Sequence, residues 1–355
     1  MNDILWVLRT ALEAVGLATK LIRRMSVKNK VVLTRPFPDE LLAKLREHFE
    51  LAYFPSGMVP ERQDEFDAAL ADAEGLIGAS SPPRVSVDAD LLRKAPKLAA
   101  VATVSVGFDH CDVSALTARK ILLTHTPSVL TDTAADLAFT LLVSAARRVA
   151  ELDRMIRAGN WLEGISLSHF GVDIHHKIIG IVGMGRIGAA LAQRASGFRM
   201  SIVYSDVIPN KAVEKAFGAR HLPLEELLRT ADFVCLTLLL SPETRGLINR
   251  DRLALMKKSA ILINSARGGV VDQAALIDAL RHGTIRAAGL DVFEKEPLPL
   301  DSPLRQLDNV TLLPHIGSAT EETRYAMMKC AVNNMIASLD GTLKENCVNR
   351  ELLER

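Results

Sequence analysis

Residues 177–188 read Lys177-Ile-Ile-Gly-Ile-Val-Gly183-Met-Gly185-Arg-Ile-Gly188, and after an Ala-rich stretch a second apolar run reads Ser201-Ile-Val-Tyr-Ser-Asp206. An apolar run entering a G-x-G-x-x-G turn, a helix leaving it and a second run ending in an acid are the parts of a βαβ dinucleotide site. Gly183 permits the tight turn, Gly185 lets the backbone approach a pyrophosphate, and Gly188 lets the helix sit close to its strand. The helix N-terminus offers free N–H groups and a partial positive charge to phosphates. Asp206, 18 positions past Gly188, is expected to accept hydrogen bonds from a ribose diol. A 2′-phosphate there would meet like charge, and the residues that follow are Val207, Ile208 and Pro209, with Lys211 the first cation. NAD(H) is the expected cofactor, and NADP(H) stays open through a swing of Lys211 toward the phosphate.

Bulk properties narrow the classes. At 355 residues the chain is long enough for two domains, each with its own core. A net charge of +1 gives no electrostatic reason to expect nucleic acid or an anionic membrane as partner. Cys111, Cys235, Cys330 and Cys347 form no C-x-x-C pair, which suits reduced thiols in a cytoplasm and neither a disulfide framework nor a metal site. No run approaches the roughly 18–20 uninterrupted apolar residues that span a bilayer. Met1–Arg24 has amphipathic helical spacing (Ile4, Leu5, Leu8, Leu12, Val15), interrupted by Arg9, Glu13 and Lys20. Residues 1–24 are read as an extension outside the fold, with a peripheral membrane anchor as the alternative.

From Val31 onward, short apolar runs alternate with helix-like stretches, the pattern of parallel α/β sheets. Before the glycine turn the runs are Val31–Leu33, Leu76–Ile77, Ala99–Val104 and Ile121–Leu123. After it they are Ile202–Tyr204, Phe233–Leu238, Ala260–Ile263, Ala287–Leu290 and Val310–Leu313. Two such sets predict two α/β domains. Between them, Thr133 to Ala158 predicts one helix about 40 Å long, opened by a capping box of Thr133 and Asp136 and closed by Gly159. Its Leu137, Leu141, Leu142 and Ala145 face is expected to pack in its own subunit, and the segment through Trp161 and Phe170 to reach a second one.

Three clusters stand at or just past the ends of apolar runs: Asn264-Ser-Ala-Arg267-Gly-Gly269, Asp291-Val-Phe-Glu-Lys-Glu296-Pro297 and Pro314-His315-Ile-Gly317. In open α/β sheets, ligands bind outside the carboxyl ends of the strands, so the three are expected to converge beside the nicotinamide end of a dinucleotide. A guanidinium fork at Arg267 would pair with a carboxylate or carbonyl, and an imidazole at His315 would exchange a hydroxyl proton. A carboxylate at Glu296 would hold the tautomer of that imidazole and favour its protonated form. Each has a plainer reading: Arg267 as a structural cation, Glu296 as a solvated turn acid, His315 as one satisfied histidine among nine. His175-His176 reads as a turn more readily than as a metal pair, and spacing singles out none of His110, His125 and His169.

Together, G-M-G-R-I-G, N-S-A-R-G-G-V-V-D, A-G-L-D-V-F-E-K-E-P and P-H-I-G-S-A-T resemble the D-isomer-specific 2-hydroxyacid dehydrogenases, from about Val31 to Val348. Ser105-Val-Gly-Phe-Asp109, Thr124-His-Thr-Pro127, His175-His-Lys177 and Asn346-Cys-Val-Asn349 resemble the glyoxylate/hydroxypyruvate (2-ketogluconate) reductase branch. The resemblance implies an α/β fold of two Rossmann-like domains with parallel sheets. The substrate domain would be discontinuous (25–128 and 319–355) around an NAD-binding domain (129–318). It implies a homodimer joined through the cofactor domains. It implies His315 as acid/base, Glu296 as its carboxylate partner, Arg267 on the substrate carboxylate and carbonyl, and the N–H groups of Val106 and Gly107 on the other end of that carboxylate. Thr133, Arg186, Ile187, Asp206, Thr237, Ala266, Asp291 and Gly317 would then sit against the cofactor, beside Gly183, Gly185 and Gly188. Relatives of this branch often carry Arg after the second strand and prefer NADPH; this chain departs with Asp206. The reaction expected is reduction of a small 2-keto acid (glyoxylate, hydroxypyruvate or 2-keto-D-gluconate) to the D-2-hydroxy acid. The alternatives are a family activity on formate, phosphite or 3-phosphoglycerate, an NAD-sensing corepressor-type protein, or a Rossmann methyltransferase.

Overall fold

The computed structural model describes residues 28–56, 60–78 and 85–354, so the extension expected at 1–24 lies outside the described residues. The described residues divide into two compact units, those up to 126 together with those from 327 onward, and residues 127–326. The sequence reading draws the second boundary at 318/319. Residues up to 326 cluster instead with the second unit, where the Thr323 hydroxyl meets that of Thr133 at 2.6 Å. Among the described residues no helix is long and apolar enough to cross a membrane.

In the first unit, β1 (Lys30–Leu33), β2 (Glu50–Tyr53), β3 (Gly75–Gly78), β4 (Ala100–Thr103) and β5 (Leu122–Thr124) form one parallel sheet in the order β2-β1-β3-β4-β5. Its inner strands are apolar and buried on both faces, as a parallel sheet covered by helices requires. β2 gives no apolar run because it is a half-exposed edge strand beginning with Glu50. The end of the chain returns to this unit. Asn349 accepts the Leu123 N–H at 3.0 Å and donates to the Ile121 carbonyl at 2.9 Å, which stitches the residues after the last helix onto edge strand β5.

In the second unit, β6 (Ile178–Val182), β7 (Ser201–Ser205), β8 (Arg220–His221), β9 (Phe233–Leu236), β10 (Ile261–Asn264), β11 (Ala287–Leu290) and β12 (Val310–Leu312) form a parallel sheet ordered β12-β11-β10-β9-β6-β7-β8. Successive strand side chains face opposite ways, so Ile261 and Ile263 enter the core under one face and Leu262 the core under the other. The two-residue, exposed β8 is too short and polar to give a sequence signal.

The single helix expected over Thr133–Ala158 is two helices, Thr131–Arg147 and Val149–Arg157. Arg148 between them adopts the left-handed conformation (φ 56°), and its guanidinium bonds Glu151 at 2.8 Å and the Ser168 carbonyl. Thr133 is not the N-cap; it lies inside the first turn. The second helix buries none of its side chains, and Trp161 and Phe170 beyond it remain 60% and 50% exposed.

Candidate active site

The strand order of the second unit reverses between β6 and β9, from which the chain winds outward in both directions. Such a switch point is where doubly wound sheets hold nucleotides. The glycine turn leaves β6 at this place. Gly183 has φ +96°, and a side chain there would meet the Leu238 backbone nitrogen at 2.9 Å. One at Gly188 would lie 2.1 Å from the Gly183 carbonyl oxygen. Around Gly185 the opposite holds, since nothing lies within 4 Å of where its Cβ would be. Gly185 is the N-cap of the helix Arg186–Gly197, whose first N–H groups, including those of Arg186 and Ile187, have no intrahelical acceptor. Open space above a glycine, next to unpaired donors at a helix N-terminus, fits a pyrophosphate.

Thr237, just past β9, closes the floor of this turn through its hydroxyl on the Gly183 carbonyl at 2.6 Å. Asp206 directly follows β7, and its carboxylate also braces the loop. Oδ2 accepts the Met184 N–H and Oδ1 the Val207 N–H, both at 2.6 Å. Lys211, the nearest cation in sequence, is engaged by Glu214 at 2.8 Å.

The three chemical clusters leave the ends of neighbouring strands β10, β11 and β12. Past β10, the buried Asn264 side chain accepts the Ala266 N–H at 3.1 Å and donates to the Arg267 carbonyl at 3.0 Å, which shapes the turn that carries Arg267. The next residue, Gly268, could hold no side chain, because a Cβ would lie 1.9 Å from the Phe293 carbonyl carbon. The Arg267 turn is thereby pressed against the segment that leads to Glu296. Glu296 Oε1 accepts the Phe293 N–H at 3.1 Å, and Oε2 lies 2.8 Å from His315 Nδ1. An ionised carboxylate only accepts, so Nδ1 carries the shared proton and Nε2 is left for other work. His315 itself has φ +56°.

That left-handed turn aims the next two N–H groups at Asp291. Its Oδ1 accepts from Ile316 at 2.7 Å and its Oδ2 from Gly317 at 2.8 Å. Burial pushes the Asp291 carboxyl above its usual range, against the pull of these N–H groups and of His315. Burial likewise holds Arg324 below the ordinary guanidinium value, with Asp291 opposing. Thr133 stands one turn before Leu137, whose side chain approaches the Cβ position of Gly317 to 4.0 Å. Asn264, Gly268 and Asp291 in this bracing role were missed from sequence. A polar residue closing an apolar strand was the available signal for Asn264.

In the first unit, Val106 and Gly107 lie on the turn after β4. The Val106 carbonyl faces His125 Nδ1 at 3.0 Å, which connects one of the three undistinguished histidines to this turn. His169 instead closes a local turn on the Ser166 N–H at 3.0 Å, and His175 and His176 are exposed.

Residues 139–317 match the family model described as D-isomer specific 2-hydroxyacid dehydrogenase, NAD binding domain. A glyoxylate/hydroxypyruvate reductase B of Yersinia pestis (strain Pestoides F) is 54% identical over 328 residues, 92% of this chain and 99% of the relative. A crystal structure of a Thermus thermophilus protein superposes with a TM-score of 0.81 at 42% identity, covering 90% of this chain and 99% of that one. A Sinorhizobium meliloti NADPH-dependent glyoxylate/hydroxypyruvate reductase, solved with NADP and malonate, gives 0.78 at 31% identity, covering 91% and 97%. Fold, glycine turn and comparisons lead to one assignment: this chain is an enzyme of the D-isomer-specific 2-hydroxyacid dehydrogenase family.

Proposed function

We propose that the enzyme reduces the C2 carbonyl of a small 2-keto acid, with glyoxylate, hydroxypyruvate and 2-keto-D-gluconate as the candidates, to the D-2-hydroxy acid. The observation that carries this reading is the 2.8 Å pairing of His315 Nδ1 with Glu296, beside the turn that presents Arg267. When bound, the reduced nicotinamide supplies a hydride to the carbonyl carbon. Gly183, Gly185 and Gly188, the N–H groups of Arg186 and Ile187, and Asp206, Thr237, Ala266, Asp291, Gly317 and Thr133 are the residues proposed to hold the cofactor.

Protonated His315 donates from Nε2 to the carbonyl oxygen as general acid. Glu296 fixes the ring orientation and offsets the imidazolium charge. Arg267 pairs with the substrate carboxylate and meets charge developing on the carbonyl oxygen with a fixed cation. Neither the Val106 N–H nor the Gly107 N–H has an acceptor among the described residues. These two donors are proposed for the other end of the carboxylate. The first unit is thus the proposed substrate domain.

NADH is the proposed preference. The Asp206 carboxylate would repel a 2′-phosphate, and Lys211 is paired with Glu214. We also propose a homodimer, built on the exposed Val149, Ile156, Trp161 and Phe170 stretch of the second unit. A panel of keto acids run in parallel with NADH and NADPH tests the reading. Turnover of at least one, faster with NADH, is expected; cofactor binding with no keto acid reduced would overturn it.

A further inference from the structure

On the turn Ser105–Phe108, the N–H groups of Val106 and Gly107 have no acceptor among the described residues, while the carbonyls are engaged. The Ser105 hydroxyl donates to the Gly107 carbonyl at 2.7 Å, and the Thr126 N–H donates to the Ser105 carbonyl at 2.8 Å. The Val106 carbonyl faces His125 Nδ1 at 3.0 Å, and because a carbonyl only accepts, Nδ1–H is the donor. That carbonyl and the Gly107 N–H belong to one peptide. In a trans peptide the two groups point to opposite sides of a rigid plane. A donor clamped on the carbonyl therefore fixes the direction of the N–H, facing away from His125. It also polarises the amide and strengthens the N–H as a donor.

His125 is itself held from both sides. Its backbone N–H donates to the Asn346 carbonyl at 3.0 Å, and its carbonyl accepts from Asn334 Nδ2 at 2.9 Å. Asn346 Nδ2 in turn donates to Asn334 Oδ1 at 3.2 Å. The Phe108 ring stands edge-on to the imidazole with centroids 5.8 Å apart. Two asparagines from the end of the chain thus hold the backbone of a histidine whose ring clamps a peptide of the β4 turn.

We propose that His125 is a positioning residue for the substrate carboxylate: its Nδ1–H, through the Val106 carbonyl, sets the aim and donor strength of the Gly107 N–H. The proposal rests on the carboxylate role assigned to that turn above.

The test uses the full-length enzyme with NADH, oxamate as the carboxylate probe, and the variants H125L and H125N. Asparagine places a side-chain N–H close to where Nδ1–H stands; leucine has none. H125L is expected to raise the oxamate Ki and the keto-acid KM about tenfold, with far less change in kcat, and H125N to recover most of the loss. A loss of kcat and thermal stability that H125N does not recover overturns the proposal, since it marks a merely structural role. In parental enzyme labelled with ¹⁵N-glycine, oxamate should move the Gly107 amide resonance. If that resonance stays still, the carboxylate reading falls and the proposal falls with it. If it moves and H125L binds oxamate as tightly as the parent, only the proposal falls. Should H125L not fold, H125Q carries its donor one bond farther out and should raise KM where H125N does not; equal KM values overturn the proposal.

Discussion

Glu296 holds two groups at once, the His315 imidazole at 2.8 Å through Oε2 and the Phe293 backbone N–H at 3.1 Å through Oε1. The carboxylate is therefore a fixed strut, tied to its own loop before it reaches the histidine. H315A should lose at least about a thousandfold in kcat with NADH affinity little changed, because the ring acts on the proton alone. E296Q keeps the shape and removes the charge, and should lose about ten- to a hundredfold. Steady-state kinetics with direct NADH titration check both, and an H315A variant with near-parental kcat would remove the general-acid assignment.

Two glycines separate folding from binding. A Cβ at Gly268 would sit 1.9 Å from the Phe293 carbonyl carbon, whereas one at Gly185 would meet nothing within 4 Å. G268A is expected to destabilise the fold by about 1–3 kcal/mol and to abolish activity, since backbone must move to admit the methyl. G185A should melt like the parent yet raise the NADH Kd about tenfold or more, because the methyl enters space proposed for the pyrophosphate. Thermal melts paired with NADH titrations read the contrast. Equal NADH affinity in G185A would count against that location for the phosphates.

Asp206, directly after the second strand of the unit, braces the glycine loop through the Met184 N–H. D206R should shift the NADH-to-NADPH ratio of kcat/KM toward NADPH by at least about tenfold, by exchanging repulsion for attraction. It should also cost about 1 kcal/mol of stability, since the Met184 and Val207 N–H groups lose their acceptor. An unchanged cofactor ratio in parallel assays would refute the electrostatic account.

The apolar stretch on and beyond the helix Val149–Arg157 offers a test of assembly. The double variant W161S/F170S should sediment as a monomer at micromolar concentration where the parent sediments as a dimer. A parent that is monomeric at that concentration removes the dimer proposal.

Asp232 gives a stability prediction with a sign. Burial works against its ionisation, yet Lys257 at 2.7 Å and the Ile178 N–H at 2.9 Å hold its carboxyl below the usual range. A lowered folded pKa contributes stability above the ordinary carboxylate value and loses it as pH falls through the lowered one. D232N should therefore cost about 1–2 kcal/mol near pH 7, with the gap to the parent closing below about pH 4. Denaturant titrations at the two pH values measure it, and a gap independent of pH would refute the charge argument.

Most of the fold was legible because buried parallel strands are short apolar runs, and all ten of the runs read from sequence lie on strands. The strands that escaped, Glu50–Tyr53 and Arg220–His221, are sheet edges where one side faces water and the composition turns polar. The helix break at Arg148 escaped too. An arginine carries no left-handed signal, and the bonds that stabilise the turn come from Glu151 and from the Ser168 carbonyl, which is 20 residues away.

What the sequence determined by itself was the glycine turn, the acid closing the second strand, and the three polar clusters past the apolar runs. Each is local: its spacing along the chain is the requirement of its chemistry. Tertiary structure brought Glu296 to His315 across 19 residues, the pairing expected from sequence. It alone decided that Asp291 collects the N–H groups of Ile316 and Gly317, and that Asn334, 209 positions away, holds the backbone of His125. Hydrogen bonds reach about 3 Å whatever the separation along the chain, so only the folded path of the backbone selects which distant groups come within that range.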